Sequence, residues 1–344
     1  MQQSAMRVLR SLSSLKLTLF GMLALLTGVL ASYKDQEASS TWITLPLLLL
    51  ALNLVAALCV NPRLYRQGGL LVFHLCLLAI LLLAVFGRLT GLKGRLEIAE
   101  GQRFDPANVT LIRQGPWHPG SRLQALSFEQ GPIRVAYAPG LIRGRTQSDI
   151  SLGSATGAGE TVRVGDNVPL KVAGYRFYTT YNKGYAVMLT WFGDDGDVRG
   201  GALHLPSYPL NEWKQINQWR APTSELIEVE LNLPQRPVKD RGWILTGGDT
   251  VATLSLRAGD GGSQTLQQGD VIRLATGSVR FDGVRLWMGY QIFYDPALPW
   301  LFAAALVGVS GLAWHFRDKF RAQLLAAGAA SRRREAGFGL SSDS

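Results

Sequence analysis

Four stretches of 17 to 19 residues with almost no charge constrain this chain more than any other feature. They are Leu15–Ala31, Trp42–Val60, Leu70–Gly87 and Pro299–Phe316, and the one ionisable residue at an early position is Lys16. A bilayer core demands about 20 consecutive apolar residues per helix, so each stretch reads as a transmembrane helix. Three precede one long polar insert and the fourth follows it. The fold class predicted is an integral membrane protein in which four transmembrane α-helices flank a large extracytoplasmic all-β, sandwich-like insert.

Lysine and arginine set the orientation. Arg7, Arg10 and Lys16 precede the first stretch, Arg63 and Arg66 sit between the second and third, and Arg317, Lys319, Arg321 and Arg332 to Arg334 follow the fourth. The loop 32–41 holds only Lys34. The positive-inside rule places the three basic segments in the cytoplasm and the insert outside. The domains expected are a cytoplasmic N-terminus (1–14), three transmembrane helices (15–89), an extracytoplasmic β-rich domain (90–296), a fourth helix (297–316) and a basic cytoplasmic tail (317–344). The setting expected is the inner membrane with the large domain on its outer face, or a thylakoid membrane if the source is a phototroph. A cleaved signal peptide ending at Val29-Leu30-Ala31 is the alternative reading of the first stretch, and the length of its apolar run counts against that. The formal net charge is +10, yet residues 93–296 carry 22 Lys and Arg against 20 Asp and Glu. The basic excess therefore belongs to the membrane portion and contacts lipid, not nucleic acid.

Within the insert, Ala252, Leu254 and Leu256 alternate with Thr253, Ser255 and Arg257, and the same period recurs around Ile272 and Leu274 and around Val279 and Phe281. Period two marks half-buried strands. Tight turns are expected at Gly193–Asp197, Gly247-Gly248-Asp249, Gly259–Gly262 and Gly269-Asp270. Leu205–Val238 holds five prolines with Trp213 and Trp219, which predicts a helical turn and extended loops over the sheet. The tryptophans either cover the core edge or form a docking surface. After Phe316, apolar Phe320, Leu324 and Leu325 among basic residues predict an interfacial helix, then a Ser- and Gly-rich disordered end.

The chain contains no phosphate-binding GxxxxGK[ST], no GxSxG, no HExxH, and no CxxC or CxxCH. Thiol redox exchange and covalent haem attachment to this chain are excluded. Cys59 and Cys76 lie in the second and third stretches and read as small apolar fillers, with a thiol pair close in depth as the alternative. His118 and His204 are expected to be surface or loop histidines. His74 and His315 lie inside or at the end of membrane stretches, and an imidazole there marks a cofactor, an ion path or an interhelical hydrogen bond. Asn53 is the partner considered for His74, and snorkelling beside Trp314 and Arg317 is considered for His315. Ala304, Gly308, Gly311 and His315 form one helical lane of small residues, open to close approach by a helix or a flat macrocycle.

The opening SLSSLKLTLFGMLAL, the segment FHLCLLAILLLAVFGRLTGLKGRLEIAEGQ and the closing GYQIFYDPALPWLFAAALVGVSGLAWHFRDKF together resemble ResB, also called CcsB, of the system II cytochrome c maturation pathway. The resemblance covers roughly the first and last hundred residues; in the middle, YNKGYAVMLTW and SYPL echo it faintly. It implies a complex with a CcsA (ResC)-like membrane partner that moves haem across the membrane and joins it to apocytochrome c. It also implies that His74 is an axial ligand to a b-type haem in transit, the opposite ligand coming from the partner. His315 matches a position that in the family looks more like an anchor. Two other readings stand beside this: a cofactor-free scaffold whose β domain docks a partner, and a b-type haem electron-transfer subunit using His74 and His315 together.

Overall fold

The computed structural model describes residues 2–32, 39–153, 159–210, 213–222, 226–234, 240–247, 250–258, 262–274 and 276–338. The chain forms two compact units. One comprises Met1–Gly91, Arg113–His118 and Asp295–Ser344; the other comprises Leu92–Ile112 and Pro119–Tyr294. The helices are α1 (Gln2–Leu12), α2 (Leu15–Ala31), α3 (Ser39–Val60), α4 (Pro62–Tyr65), α5 (Gly68–Thr90), α6 (Gly120–Gln124) and α7 (Leu298–Phe338). All but α6 belong to the first unit.

By length and composition α3, α5 and the first 28 residues of α7 can each cross a bilayer, and α1 with α2, bent by 46° at their junction, can supply a fourth span. The bend has a local cause. Ser14 leaves the helix with extended backbone and its Oγ accepts from Leu17 N (3.2 Å), an N-cap that starts α2 afresh. Across the junction, Asn53 of α3 donates to Leu12 O (2.6 Å) and Ser14 O (3.2 Å) and accepts from Thr18 Oγ1 (2.8 Å). One buried amide thus satisfies the carbonyls that the break exposes.

Close packing of backbone on backbone joins α5 to α7. A Cβ on Gly69 would lie 2.6 Å from His315 N and 2.7 Å from Gly311 O; one on Gly311 would lie 2.8 Å from Val72 Cγ1, and one on Gly308 3.1 Å from Cys76 Cβ. The small-residue lane of α7 is therefore filled by α5 itself. Cys76 is a packing residue in this seam, and Cys59 and Cys76 are free thiols. Helix α7 differs from expectation in running unbroken through the basic segment to Phe338; residues 339–344 of the predicted disordered end lie outside the described residues. Alanine-rich sequence at 322–330 favours helix over coil.

The strands, which belong to the second unit but for Arg113 and Gln114 at the end of β2, are β1 (Leu92–Ala99), β2 (Thr110–Gln114), β3 (Phe128–Ala138), β4 (Ile142–Leu152), β5 (Thr161–Gly165), β6 (Leu170–Val172), β7 (Tyr175–Gly193), β8 (Val198–His204), β9 (Ile216–Arg220), β10 (Leu226–Asn232), β11 (Trp243–Leu245), β12 (Thr253–Ala258), β13 (Gln264–Leu266), β14 (Val271–Leu274) and β15 (Gly277–Tyr294). They form a seven-stranded sheet ordered β2-β1-β15-β7-β6 with β14 and β8 attached, and two four-stranded sheets, β13-β12-β10-β9 and β11-β3-β4-β5. The antiparallel pair β7 and β15 runs from Gly277↔Gly193 to Tyr294↔Tyr175 and is the spine. Leu254, Leu256, Ile272, Leu274, Val279 and Phe281 are buried, as their alternation predicts. At the β7–β8 turn Gly196 has φ +85°, Asp195 Oδ1 accepts from Asp197 N (3.0 Å), and Asp197 O accepts from Gly193 N (2.7 Å). Gly269 likewise has φ +95°. Gly248, Asp249 and 259–261 of the other predicted turns lie outside the described residues.

Leu205–Val238 departs from the loop expectation, because it contributes β9 and β10. Pairing decides this: Ile227, Val229 and Leu231 are buried on β10, held between β9 and β12. Trp213 and Trp219 pack half-buried on the core, Trp219 edge-to-face with Trp191 and Trp213 with Tyr208. Among the described residues of this unit, two acidic or basic side chains are buried. Glu100 accepts from Ile133 N (2.6 Å) and Leu286 N (3.1 Å), and burial nevertheless raises its pKa. Lys183, 2% exposed, donates to Thr180 O and faces Asp166 at 3.6 Å; burial pulls its pKa down to about 8. It stands where β7 and β15 shift register, and it pins that irregularity.

Because backbone atoms meet Gly69, Gly69→Ala is expected to lower the melting temperature of the detergent-solubilised chain, at a cost of about 1–3 kcal/mol. Gly328→Ala, where a Cβ meets nothing within 4 Å, is expected not to lower it. Differential scanning fluorimetry on both variants checks this.

Candidate functional site on the third span

Helix α5 carries the site, and its apolar run FHLCLL places a single imidazole in it. His74 Nδ1 lies 2.7 Å from Leu70 O, one turn back. A carbonyl oxygen can only accept, so Nδ1 holds the proton and, in the neutral ring, Nε2 keeps its lone pair. The ring is half-buried and meets Phe73 edge-on at 5.2 Å. This is how metal-ligating histidines are oriented: the remote nitrogen donates to a fixed acceptor and the other faces the iron.

The two membrane histidines serve different faces of α5. Gly69, which touches the backbone of His315, precedes His74 by five residues, which at ~100° each turns the two directions roughly 140° apart. His74 shares its lane with Leu78, Leu81 and Val85, and Val85 packs with Ile43 and Leu47 of α3. His315 ends the α7 lane and lies against Phe316, with Trp314 over Gly68. Among the described residues no hydrogen bond or ring contact joins His74 to His315. Asn53 is not the partner of His74 either, because its amide is consumed at the α1–α2 junction. No group of three or more His, Cys, Asp or Glu able to hold a metal ion occurs among the described residues.

Of the other two histidines, both expected on the surface or in loops, His118 is a loop residue and His204 ends β8 half-buried. His118 is buried and its Nδ1 lies 2.9 Å from Thr90 O. Its loop caps the end of α5: Trp117 N donates to Leu89 O (2.8 Å) and Gly115 N to Gly91 O (2.8 Å). A Cβ on Gly115 would come within 2.2 Å of Leu89 O, so the close approach requires glycine there. His204 stacks on Trp287 (5.2 Å, 11°) and faces Glu97 at 3.4 Å. Sequence reading passed over the cap because PWHPG resembles any loop; the available signal was a polar imidazole between two prolines.

The same end of α5 gathers charge. Arg88 in its last turn and Arg113 stand close enough for their charges to act on one another, and Asp295 acts on Arg113. Asp295 packs against Gly87, and its Oδ1 accepts from Ala297 N (2.9 Å) at the start of α7.

A continuous stretch from residue 63 to 321, holding α5, the β unit and most of α7, matches the model of the ResB-like family. The chain belongs to the ResB-like family. The family match runs unbroken through the insert, where the resemblance read from the sequence was faint, and it leaves α2 and α3 outside. Among relatives, this ResB-like chain is 26% identical over 259 residues to a cytochrome c biogenesis protein CcsB of Synechococcus elongatus, covering 72% of this chain and 50% of the relative. A cytochrome c biogenesis protein CcsB of Synechococcus sp. matches with the same values. The chain spans about half the length of the relatives it matches.

The hydrogen bond to Leu70 makes a direct prediction for the nitrogens. In nitrogen-15 spectra of the histidine-labelled chain, compared with His74→Gln, the His74 signals are expected as a protonated Nδ1 and an unprotonated Nε2; the opposite tautomer would remove the donor.

Proposed function

We propose that this chain is a membrane subunit of cytochrome c biogenesis that works beside a CcsA-like partner and presents His74 as one axial ligand to haem, its cargo, on the way to apocytochrome c. One observation carries the reading: His74 is locked with Nδ1 donating to Leu70 O, which leaves Nε2 as a lone pair in a membrane-spanning helix. The family and the names of the relatives support the process. Haem iron in a low-spin state takes two ligands, and α5 offers one on this face, so the second belongs to the partner. Covalent attachment to the cytochrome thiols is also the partner's task, which makes this chain a non-catalytic or co-catalytic subunit.

The basic residues support the orientation. Arg63 and Arg66 precede α5, and Arg317, Lys319 and Arg321 follow the apolar stretch of α7, so both sets bound these apolar spans on the side away from the β unit in sequence. Cytoplasmic placement of those ends puts His74 near the side where haem is made and the β domain on the outer face, available to the apocytochrome. The separate faces of His74 and His315 favour this over a haem held by both, and make His315 an interfacial anchor beside Trp314 and Arg317.

The test is the reduced-minus-oxidised absorption spectrum of the chain purified alone and with a CcsA-like partner. Expected is a low-spin b-type signal that needs the partner, disappears in His74→Ala and persists in His315→Ala. A signal lost with His315 would favour the two-histidine electron-transfer reading. No haem in any preparation from haem-replete cells would leave the scaffold reading.

A further inference from the structure

The end of α5 next to the insert poses a problem of charge. Arg113 Nη1 is fully buried and has no hydrogen-bond partner among the described residues. A buried guanidinium N–H without an acceptor costs on the order of 1–3 kcal/mol or more. Burial also pushes the Arg113 pKa below its usual value, with Asp295 opposing. The neighbours do not resolve the deficit. The acceptors an arginine normally finds at a helix C-terminus are the last carbonyls, but here Leu89 O, Thr90 O and Gly91 O are taken by Trp117 N, His118 Nδ1 and Gly115 N. Asp295 uses Oδ1 on Ala297 N and forms no ion pair within 4.0 Å with either arginine among the described residues. Arg113, with the like charge of Arg88 acting beside it, therefore has one carboxylate that acts on it from beyond contact.

We propose that Arg113 and Arg88 form an oxyanion site at the insert-side end of α5, taking the carboxylate or phosphate of an amphiphile that lies among the helices. The planar fork of arginine suits both groups bidentately, and two of them suit an ion that cannot be neutralised by its own chain. The loop 115–118 makes the site by consuming the helix carbonyls, so Arg113 Nη1 is left without an acceptor among the described residues. Fourteen residues separate His74 from Arg88, roughly 21 Å along the helix, so this is a second station and not part of the imidazole site. Two sources supply the chemistry: the phosphate of an anionic lipid, and the propionate carboxylates of haem. The second source rests on the function proposed above; the first does not.

Two titrations of the full chain in dodecyl maltoside, a detergent without oxyanions, separate the sources. For the carboxylate, the probes are protoporphyrin IX and its dimethyl ester, read by fluorescence; without iron they do not need His74. For the phosphate, the probes are dioleoylphosphatidylglycerol and uncharged diolein, read by melting temperature. Expected is that the native chain prefers the free acid, or is stabilised by the phospholipid over diolein, and that Arg113→Gln weakens the effective oxyanion about tenfold or more while Arg113→Lys restores part of it. His74→Ala is expected to leave both titrations unchanged. Equal binding of acid and ester together with equal melting in phospholipid and diolein would overturn the site. So would an Arg113→Gln variant that folds, by an unchanged far-ultraviolet spectrum, and keeps either preference in full. Haem loss in His74→Ala alongside either of those results would leave the proposed function standing without this site.

Discussion

Everything in the membrane unit depends on how closely α5 and α7 approach. Hydrocarbon offers no hydrophobic drive for two apolar helices to associate, so packing itself must hold them. Gly69 and Gly311 let backbone meet backbone and Gly308 admits the side chain of Cys76, with Val72 also filling the seam. These two helices also deliver the chain into and out of the β unit, whose first and last strands pair from Leu92↔Tyr294 onward. The same seam decides the chemistry. Because α7 fills its own small-residue lane with α5, no flat ligand enters there, and His74 is left on the other flank of the helix.

A second consequence concerns where polar groups are tolerated. Asn53 is buried and justified by three partners at the α1–α2 junction. His118 is buried and justified by a helix carbonyl. His74 has one nitrogen satisfied and one kept available, and Arg113 has a buried nitrogen with nothing to bond. Groups of the first kind build the structure; groups of the second kind are paid for by what they bind. On that criterion two groups of different type stand available, the imidazole of His74 on α5 and, near the other end of that helix, the guanidinium of Arg113 beside Arg88.

Much of this fold was legible in the residues because the solvent dictates it. A charge-free run in hydrocarbon has few alternatives to a helix, and Leu254, Ile272 and Val279 alternate because one sheet face is buried. The glycine lane of α7 was equally visible, although its occupant was not, since a lane records only that something comes close. What escaped was set by partners distant in sequence. Proline and tryptophan between Leu205 and Val238 hid β9 and β10, because the pairing of β10 with β9 on one side and with β12 on the other lies beyond local propensity. The role of Asn53 depends on a junction 39 residues earlier, and the cap formed by His118 on a helix end 28 residues earlier. The basic segment after Phe316 reads as an interface in sequence, but α7 simply continues.

The central claim is that Nε2 of His74 ligates the iron of haem. The most direct measurement is the absorption spectrum of His74→Gly purified with its CcsA-like partner, before and after adding imidazole. If His74 is the ligand, the low-spin signal is absent in the variant and returns with imidazole, which enters the space left by the side chain. An unchanged low-spin spectrum in His74→Gly without imidazole would contradict the claim.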